Sequence, residues 1–308
     1  MRKPRALEPG DRVAVVAPAS PFLREEFDAG LSELRALGFE PCYEESVFER
    51  QGYLAGPADV RASAWLGAWQ DPSVAALLAA RGGYGSVQLL PTLADARLEA
   101  AVPKAFIGYS DNTSIMAWLT TRCGIVTIHG PMLAGRLARG EAGYDRDTFL
   151  RCVCRPEPMG EIVHPQLETI VEGESRGVLL GGTLTQLLAS LGTPYAFDPP
   201  EGSLFFLDEV GERPYRLDRM LVQLQQSGLL RRAAGLVFGE LPECDEPGGS
   251  VMARAVVREV LADFPGPVLF GLPSGHTAGA ALTLPLGVRA RLVGSGRPAL
   301  VIEEAAVE

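Results

Sequence analysis

The stretch Ala105-Phe106-Ile107-Gly108-Tyr109-Ser110-Asp111-Asn112-Thr113 reads as a short buried strand, a sharp turn and the start of a helix. The helix is expected over Thr113 to Arg122, with Gly124 placed to end it. The same strand–turn–helix signal recurs on either side. Arg12 to Ala17 (Arg-Val-Ala-Val-Val-Ala) is a short β-branched run that stops at Pro18. Arg24 to Leu37 then carries Phe27, Leu31, Leu34 and Leu37 at helical spacing. A second helix is read over Ala58 to Gln70, with Trp65 and Trp69 in it, and a third apolar segment over Val74 to Ala80. That segment ends in Arg81-Gly82-Gly83-Tyr84-Gly85, with a helix following to Leu90. Ile125 to Ile128 is the next strand, closed by His129-Gly130-Pro131. This alternation implies a mostly parallel sheet with helices on both faces. Sites in such sheets form beyond the carboxyl ends of the strands, where these glycine-bearing turns lie.

The second half reads differently. Glu157 to Glu174 is rich in Pro, Glu and Gly and lacks a clear helix, so a domain boundary is placed there, giving units 1–160 and 161–308. Strands are expected at Ser175 to Gly182, Ser203 to Leu207, Gly235 to Phe238 and Pro267 to Phe270. Helices are expected at Thr183 to Leu191, Tyr215 to Gln226 and Val251 to Phe264. Late segments near Ala281 to Leu284, Val288 to Val293 and Ala299 to Ile302 read as antiparallel edge strands.

Composition limits the function. The 308 residues hold 28 Lys and Arg against 38 Asp and Glu, a net charge of −10, which disfavours a nucleic-acid or anionic membrane partner. Hydrophobic residues are 47% and charged residues 21%, a globular balance. Five cysteines form no disulfide framework, and Cys152-x-Cys154 has no matching pair for zinc. The N-terminal Met-Arg-Lys-Pro-Arg lacks the apolar run of a signal peptide, and no run of about 18 apolar residues exists. A cytoplasmic protein with reduced thiols, no metal and no cofactor is the expectation.

Ser110 sits where a strand turns into a helix, and backbone N–H groups at that turn can stabilise an oxyanion. The usual nucleophile elbow has glycine two residues after the serine; here that residue is Asn112, and Ser110, Asp111 or Asn112 also fits a simple helix cap. A serine nucleophile needs a base, and only three histidines exist. His164 lies in the linker-like stretch, His129 at a strand end as a site residue or a polar rim residue, and His276 in the shaped loop Pro273-Ser274-Gly275-His276-Thr277, as a base or a satisfied structural histidine. Asp208-Glu209 ends the apolar strand Leu204-Phe205-Phe206-Leu207, a place suited either to orienting an imidazole or to reaching solvent. The turn at Gly82-Gly83 allows close approach of backbone and fits a second oxyanion donor better than a phosphate loop. Gly181-Gly182-Thr183 is a candidate wall of the cleft or only a tight turn.

Taken in order, these pieces resemble the LD-carboxypeptidases, the serine peptidase S66 family that includes muramoyl-tetrapeptide carboxypeptidases. The matching segments are Gly10-Asp11-Arg12-Val13-Ala14-Val15-Val16-Ala17-Pro18-Ala19-Ser20, Arg81-Gly82-Gly83-Tyr84-Gly85, Gly108-Tyr109-Ser110-Asp111, His129-Gly130-Pro131, Gly181-Gly182, Asp208-Glu209-Val210-Gly211-Glu212 with Pro214-Tyr215-Arg216-Leu217-Asp218-Arg219-Met220-Leu221, and Gly275-His276. The resemblance implies a flavodoxin-like α/β N-terminal domain carrying the nucleophile and a smaller β-rich C-terminal domain carrying the acid and the histidine. It implies Ser110 as nucleophile, His276 as general base, and the backbone N–H groups of Asp111 and Gly83 as oxyanion hole. The family's Ser-His-Glu triad uses a glutamate in a Leu-Glu-Asp order, reversed here, so position favours Asp208 and residue type favours Glu209. Thr183 stands where the family has asparagine. Arg81, Gly82, Tyr84, Gly181 and Gly182 become candidate substrate-binding positions, Arg81 as a partner for a terminal carboxylate or as a surface residue. The implied reaction releases terminal D-alanine from a murein tetrapeptide by a homodimeric enzyme of cell-wall recycling. The rivals are hydrolysis of aminoacyl-nucleotide amides, as in the microcin C immunity branch, and a silent peptide-binding module. An aromatic clamp would mark the former, but Trp65, Trp69 and Trp118 all fall in helix-like segments.

Overall fold

The computed structural model describes all 308 residues. The first half alternates β1 (Arg12–Val16), α1 (Arg24–Ala36), β2 (Glu40–Cys42), α2 (Ala58–Gln70), β3 (Val74–Ala79), α3 (Leu90–Asp95), β4 (Ala105–Gly108), α4 (Thr113–Thr121), β5 (Thr127–His129) and α5 (Arg146–Cys154). The second half runs β6 (Gly160–Ile162), β7 (Glu168–Val171), β8 (Glu174–Thr183), α6 (Leu184–Ala189), β9 (Ser203–Asp208), α7 (Pro214–Gln226), β10 (Ala233–Gly239), α8 (Ala253–Val260), β11 (Val268–Leu272), β12 (Leu284–Leu286), β13 (Val288–Val293) and β14 (Ala299–Ile302).

The strands form two sheets. The first has six strands in the order β12-β5-β4-β3-β1-β2, and β1 to β5 pair in parallel. Every residue of β3 and β4 is buried, because helices cover both faces of a parallel sheet. Helix α1 turns Phe27, Leu31 and Leu34 inward and stops at Gly38, whose φ of +94° ends the helix without a side-chain clash. Trp65 and Trp69 of α2 stack at 4.8 Å and are buried, as is Trp118 of α4.

The second sheet has eight strands in the order β6-β14-β13-β8-β9-β10-β11-β7. Its centre, β8 to β11, is parallel, with α7 crossing between β9 and β10 and α8 between β10 and β11. The C-terminal half is therefore itself α/β, with antiparallel strands only on its flanks. Helix α7 follows the amphipathic pattern, burying Leu217, Met220, Leu221 and Leu224. Helix α8 is shorter than its apolar run, starting at Ala253, whose N–H donates to the Asp245 carboxylate at 2.7 Å.

The late strands differ from expectation in one way that bears on the site. β13 is interior, between β8 and β14, while β12 leaves the second sheet and pairs antiparallel with β5 of the first. Pro285 is tolerated there because β12 is an edge strand. Strand β5 runs to His129, one residue beyond the apolar run, because His129 pairs with both Gly108 and Leu284. No helix is long and apolar enough to cross a membrane.

The two sheets meet where α4 packs on β8. The Thr183 N–H donates to Thr113 Oγ1 at 3.0 Å, and Ser114 Oγ donates to Gln186 Oε1 at 3.0 Å. Gly182 makes this approach possible, since a Cβ there would lie 2.6 Å from Thr113 Cγ2 and its φ is +136°. Gly182→Ala is accordingly expected to destabilise the protein by about 1–3 kcal/mol through overpacking and backbone strain. A urea unfolding midpoint equal to that of the wild type would contradict this packing role.

Candidate active site

The carboxyl ends of the parallel strands in both sheets converge. β4 ends at Gly108, two residues before Ser110; β9 ends at Asp208; and β11 runs out at Leu272, four residues before His276. Ser110 opens a short 3-10 turn over Ser110–Asn112 that feeds α4. Its φ of +62° lies in the left-handed region, which is uncommon for a residue with a Cβ and is held only where the surroundings over-determine it.

Ser110 Oγ lies 3.1 Å from His276 Nε2, and His276 Nδ1 lies 2.7 Å from Asp208 Oδ2. Asp208 also accepts the backbone N–H of His276 at 3.1 Å. A carboxylate at Nδ1 fixes the neutral ring with its proton on that nitrogen, leaving Nε2 to accept from the serine. Asp208 is fully buried, and burial pushes its carboxyl up from the usual range while the His276 hydrogen bond pulls it down. His276 keeps only 15% of its side chain exposed, with the Tyr109 ring set edge-on at 5.1 Å.

Glu209 is turned elsewhere. Its Oε2 accepts from the Thr185 N–H at 2.9 Å and from Thr185 Oγ1 at 2.6 Å, and its Oε1 from the Val210 N–H at 3.1 Å. It satisfies the N-terminal turn of α6 and does not approach the imidazole. Of the two acids left open by sequence, Asp208 touches His276, so the Ser-His-Glu expectation becomes a Ser-His-Asp arrangement here.

The first glycine turn lies against the serine. A Cβ on Gly82 would come within 3.2 Å of Ser110 Oγ. Ser20 braces the turn, its N–H donating to the Gly82 carbonyl at 3.1 Å and its Oγ accepting from the Tyr84 N–H at 3.1 Å. Asp111 ties the turn to the serine: its carboxylate accepts from the Ser86 N–H at 2.8 Å, and its carbonyl accepts from Ser86 Oγ at 2.6 Å. The buried Arg61 guanidinium lies beneath, donating to the carbonyls of Gly56, Pro18 and Gly85 and to Gln88 Oε1. The N–H groups of Gly83 and Asp111 donate to no other group of the chain. Arg81 is exposed and donates to the Pro21 carbonyl at 2.7 Å. Tyr84 is exposed and tilts against exposed Tyr53, ring centres 5.8 Å apart.

Two expectations need correction. Gly181 and Gly182 do not wall an open cleft; both are buried, Gly181 against the Phe206 backbone and Gly182 against Thr113. His129, a candidate rim residue, is fully buried, with Nδ1 3.2 Å from Ser274 Oγ and its ring edge-on to Phe206 at 4.9 Å. Sequence reasoning also passed over Tyr109, Ser86, Arg61, Glu240 and Arg136, which touch or brace these groups. Only Tyr109 and Ser86 lay beside a motif that could have flagged them.

Comparison with known proteins places the chain in a family. Residues 13–130 match the family model described as LD-carboxypeptidase N-terminal domain, and residues 176–292 match that of the C-terminal domain. The chain belongs to the LD-carboxypeptidase family. A Streptomyces coelicolor protein named a putative carboxypeptidase is 40% identical, over 94% of this chain and 93% of its own. The murein tetrapeptide carboxypeptidase of Pseudomonas aeruginosa is 34% identical, over 87% of this chain and 88% of its own. The microcin C7 self-immunity protein MccF of Escherichia coli is 25% identical, over 89% of this chain and 87% of its own. Among solved structures, muramoyltetrapeptide carboxypeptidase from Oxalobacter formigenes superposes with a TM-score of 0.84 at 29% identity, covering 96% of this chain and 99% of that one. MccF bound to glutamyl sulfamoyl guanosine superposes with a TM-score of 0.90 at 21% identity, covering 100% of both chains, a likeness of fold. This LD-carboxypeptidase family member is thus a serine peptidase or hydrolase by descent.

Two predictions follow from the packing around the acid. A Cβ on Gly275 would lie 2.4 Å from Asp208 Oδ2 and 2.7 Å from His129 Cε1, and the residue has φ of +71°. Gly275→Ala should therefore displace the Asp208–His276 pair and lower hydrolysis by about 100-fold or more; wild-type turnover in the variant would refute the stated contact. His129 is held at about 3 by burial, with the neighbouring His276 adding to the effect, against an ordinary value of 6.5. Between those values the unfolded chain binds the proton and the folded chain does not, so stability falls as pH falls, by up to about 1.4 kcal/mol per pH unit. Unfolding titrations of wild type and His129→Asn between pH 6 and pH 4 should show the wild type losing stability more steeply by that amount. Parallel curves would mean that His129 titrates normally.

Proposed function

We propose that this protein is a serine LD-carboxypeptidase that releases the terminal D-alanine of murein tetrapeptides. The carrying observation is the continuous line from Ser110 Oγ through His276 to buried Asp208, at 3.1 Å and 2.7 Å. The names of the Pseudomonas aeruginosa and Oxalobacter formigenes relatives support the substrate class.

In this reading Ser110 Oγ attacks the carbonyl of the bond between an L-centre and D-alanine. Its proton passes to His276 Nε2, and Asp208 stabilises the imidazolium through Nδ1. The tetrahedral oxyanion receives the N–H groups of Asp111 and Gly83, which have no other acceptor in the chain. His276 then gives the proton to the departing amine. A water attacks the acyl-serine with His276 again accepting the proton, and the collapse returns it to Ser110. Gly82 and Tyr84 line the approach to the serine, with Arg81 beside them. We place the nucleophile in a unit spanning 1–160 and the acid and base in one spanning 161–308, in a cytoplasmic homodimer.

A second reading is hydrolysis of an aminoacyl-nucleotide amide, which the likeness to MccF favours. Against it, Trp65, Trp69 and Trp118 are all buried and cannot clamp a base. A silent binding module would not need His276 held by a buried acid within reach of a strained serine.

The test is D-alanine release from free murein tetrapeptide. Wild type should release it and Ser110→Ala should not. Asp208→Asn should cost about 10³- to 10⁴-fold in kcat by unseating the tautomer, whereas Glu209→Gln should leave kcat within about tenfold and act on stability. Release by Ser110→Ala would remove Ser110 from the mechanism. A wild type that cleaves only the nucleotide amide would favour the second reading.

A further inference from the structure

Arg136 follows β5 by seven residues and is 5% exposed. Its guanidinium makes four hydrogen bonds, all to backbone carbonyls. Nη1 donates to Gly143 at 3.0 Å and Gly279 at 2.7 Å; Nη2 donates to Gly275 at 2.9 Å and Thr277 at 2.7 Å. Three of these carbonyls belong to the loop that carries His276, and two belong to the residues on either side of it. No carboxylate pairs with this cation. A buried charge without a counter-ion is costly, and here the carbonyl dipoles offset it.

We propose that Arg136 is a positioning residue that sets His276 against Ser110. The loop from Pro273 to Thr283 contains no helix or strand; its ends are joined by the Leu282 N–H and Ser274 Oγ, which donate to the carbonyls of Pro273 and Leu282, but the carbonyls of Gly275, Thr277 and Gly279 accept from no backbone N–H. Asp208 holds the ring and one N–H of that loop from the second sheet, and the loop, leaving β11 of that sheet, joins the first only at β12, eight residues after His276. Ser110 stands on the first. Arg136 extends from the first sheet and grips the carbonyls before and after His276, so it carries the serine's frame of reference to the histidine. Glu240, at the end of β10, completes the hold from the other side, accepting from Thr277 Oγ1 and from the Ala278 N–H. A planar fork is required because two carbonyls must be met on each side of it; a lysine ammonium cannot reproduce that geometry.

This inference rests on His276 serving as the base, and its test can fail separately. The chain has three histidines, so a ¹⁵N-histidine spectrum of the full-length protein contains three rings, and His276→Ala identifies the one in question. In Arg136→Met the ring nitrogen signals of His276 should shift or split while those of His164 stay in place. The kcat for D-alanine release should fall by about 100-fold with KM changed less than about twofold, and Arg136→Lys should recover part of both effects. Folded Arg136→Met with wild-type His276 signals and kcat overturns the proposal. If Arg136→Met does not fold, Arg136→Lys decides: unchanged His276 signals and kcat overturn the proposal, and a kcat loss at constant KM upholds it. If the wild type releases no D-alanine, or His276→Ala still does, the functional reading fails, and the ring signals alone judge Arg136.

Discussion

The distance of 3.1 Å between Ser110 Oγ and His276 Nε2 spans two sheets, and neither sheet can set it alone. The chain solves this by its route. It leaves β11 in the second sheet, passes through the loop bearing His276, and enters β12, which pairs with β5 in the first sheet. The loop is therefore tethered to both sheets. The register does the rest: Leu284 lies opposite His129, and His129 lies beside Gly108, two residues from Ser110. A slip of one residue in that three-residue strand would turn its side chains to the opposite face and move the histidine away from the serine. The contacts between Thr183 and Thr113 and between Ser114 and Gln186 hold the same boundary from the α4 side.

Three buried acids lie at or beside strand ends, and each is matched to different donors. Asp208 receives an imidazole and a backbone N–H; Glu209 receives the first turn of α6; Asp111 receives the Ser86 N–H in the glycine turn. Burial raises all three above the usual carboxylate range, and in each case the named hydrogen bonds act against that rise. What separates them is the partner. Only Asp208 faces a group that can itself gain a charge, so only Asp208 is placed to stabilise a developing cation. The other two acids hold backbone in place around it.

Much of this was legible in the residues. A strand ending at a serine and then a helix start, three histidines of which one sits among small residues, and two acids closing an apolar strand located the site. The choice between Asp208 and Glu209 was not legible, and the reason is physical. Along β9, Leu204 and Phe206 pack into the core shared with the first sheet, while Phe205 and Leu207 pack under α6 and α7. Alternation puts Asp208 on the first face and Glu209 on the second, but both faces are apolar, so the pattern does not say which looks toward Ser110. Gly181 and Gly182 misled for a related reason: a missing Cβ serves a ligand and a packed neighbour equally well, and here the neighbours are the Phe206 backbone for Gly181 and Thr113 for Gly182. β12 was read with the other late strands because three residues carry no record of a partner more than 150 positions away. Arg136 had no signal at all, since its role depends on carbonyls that any sequence would supply.

The strain at Ser110 shows why these supports lie outside the reacting groups. A serine at φ of +62° is held away from its preferred backbone conformations, and the cost must be met by contacts that do not relax when substrate binds. Gly82 permits the glycine turn to press against it, Ser86 and Asp111 join that turn to the serine's own peptide, and Arg61 fastens the turn at the Gly85 carbonyl while its other hydrogen bonds reach Gly56, Pro18 and Gln88 around it. Arg61 and Arg136 thus play corresponding parts on the two sides of the site. Each is a buried guanidinium bonded mainly to backbone carbonyls, one under the turn that presents the hydroxyl and one behind the loop that presents the imidazole. Backbone carbonyls bonded in this way cannot rotate independently, so the hydroxyl and the imidazole approach each other as parts of two rigid frames, and the tolerance between them is that of one interface.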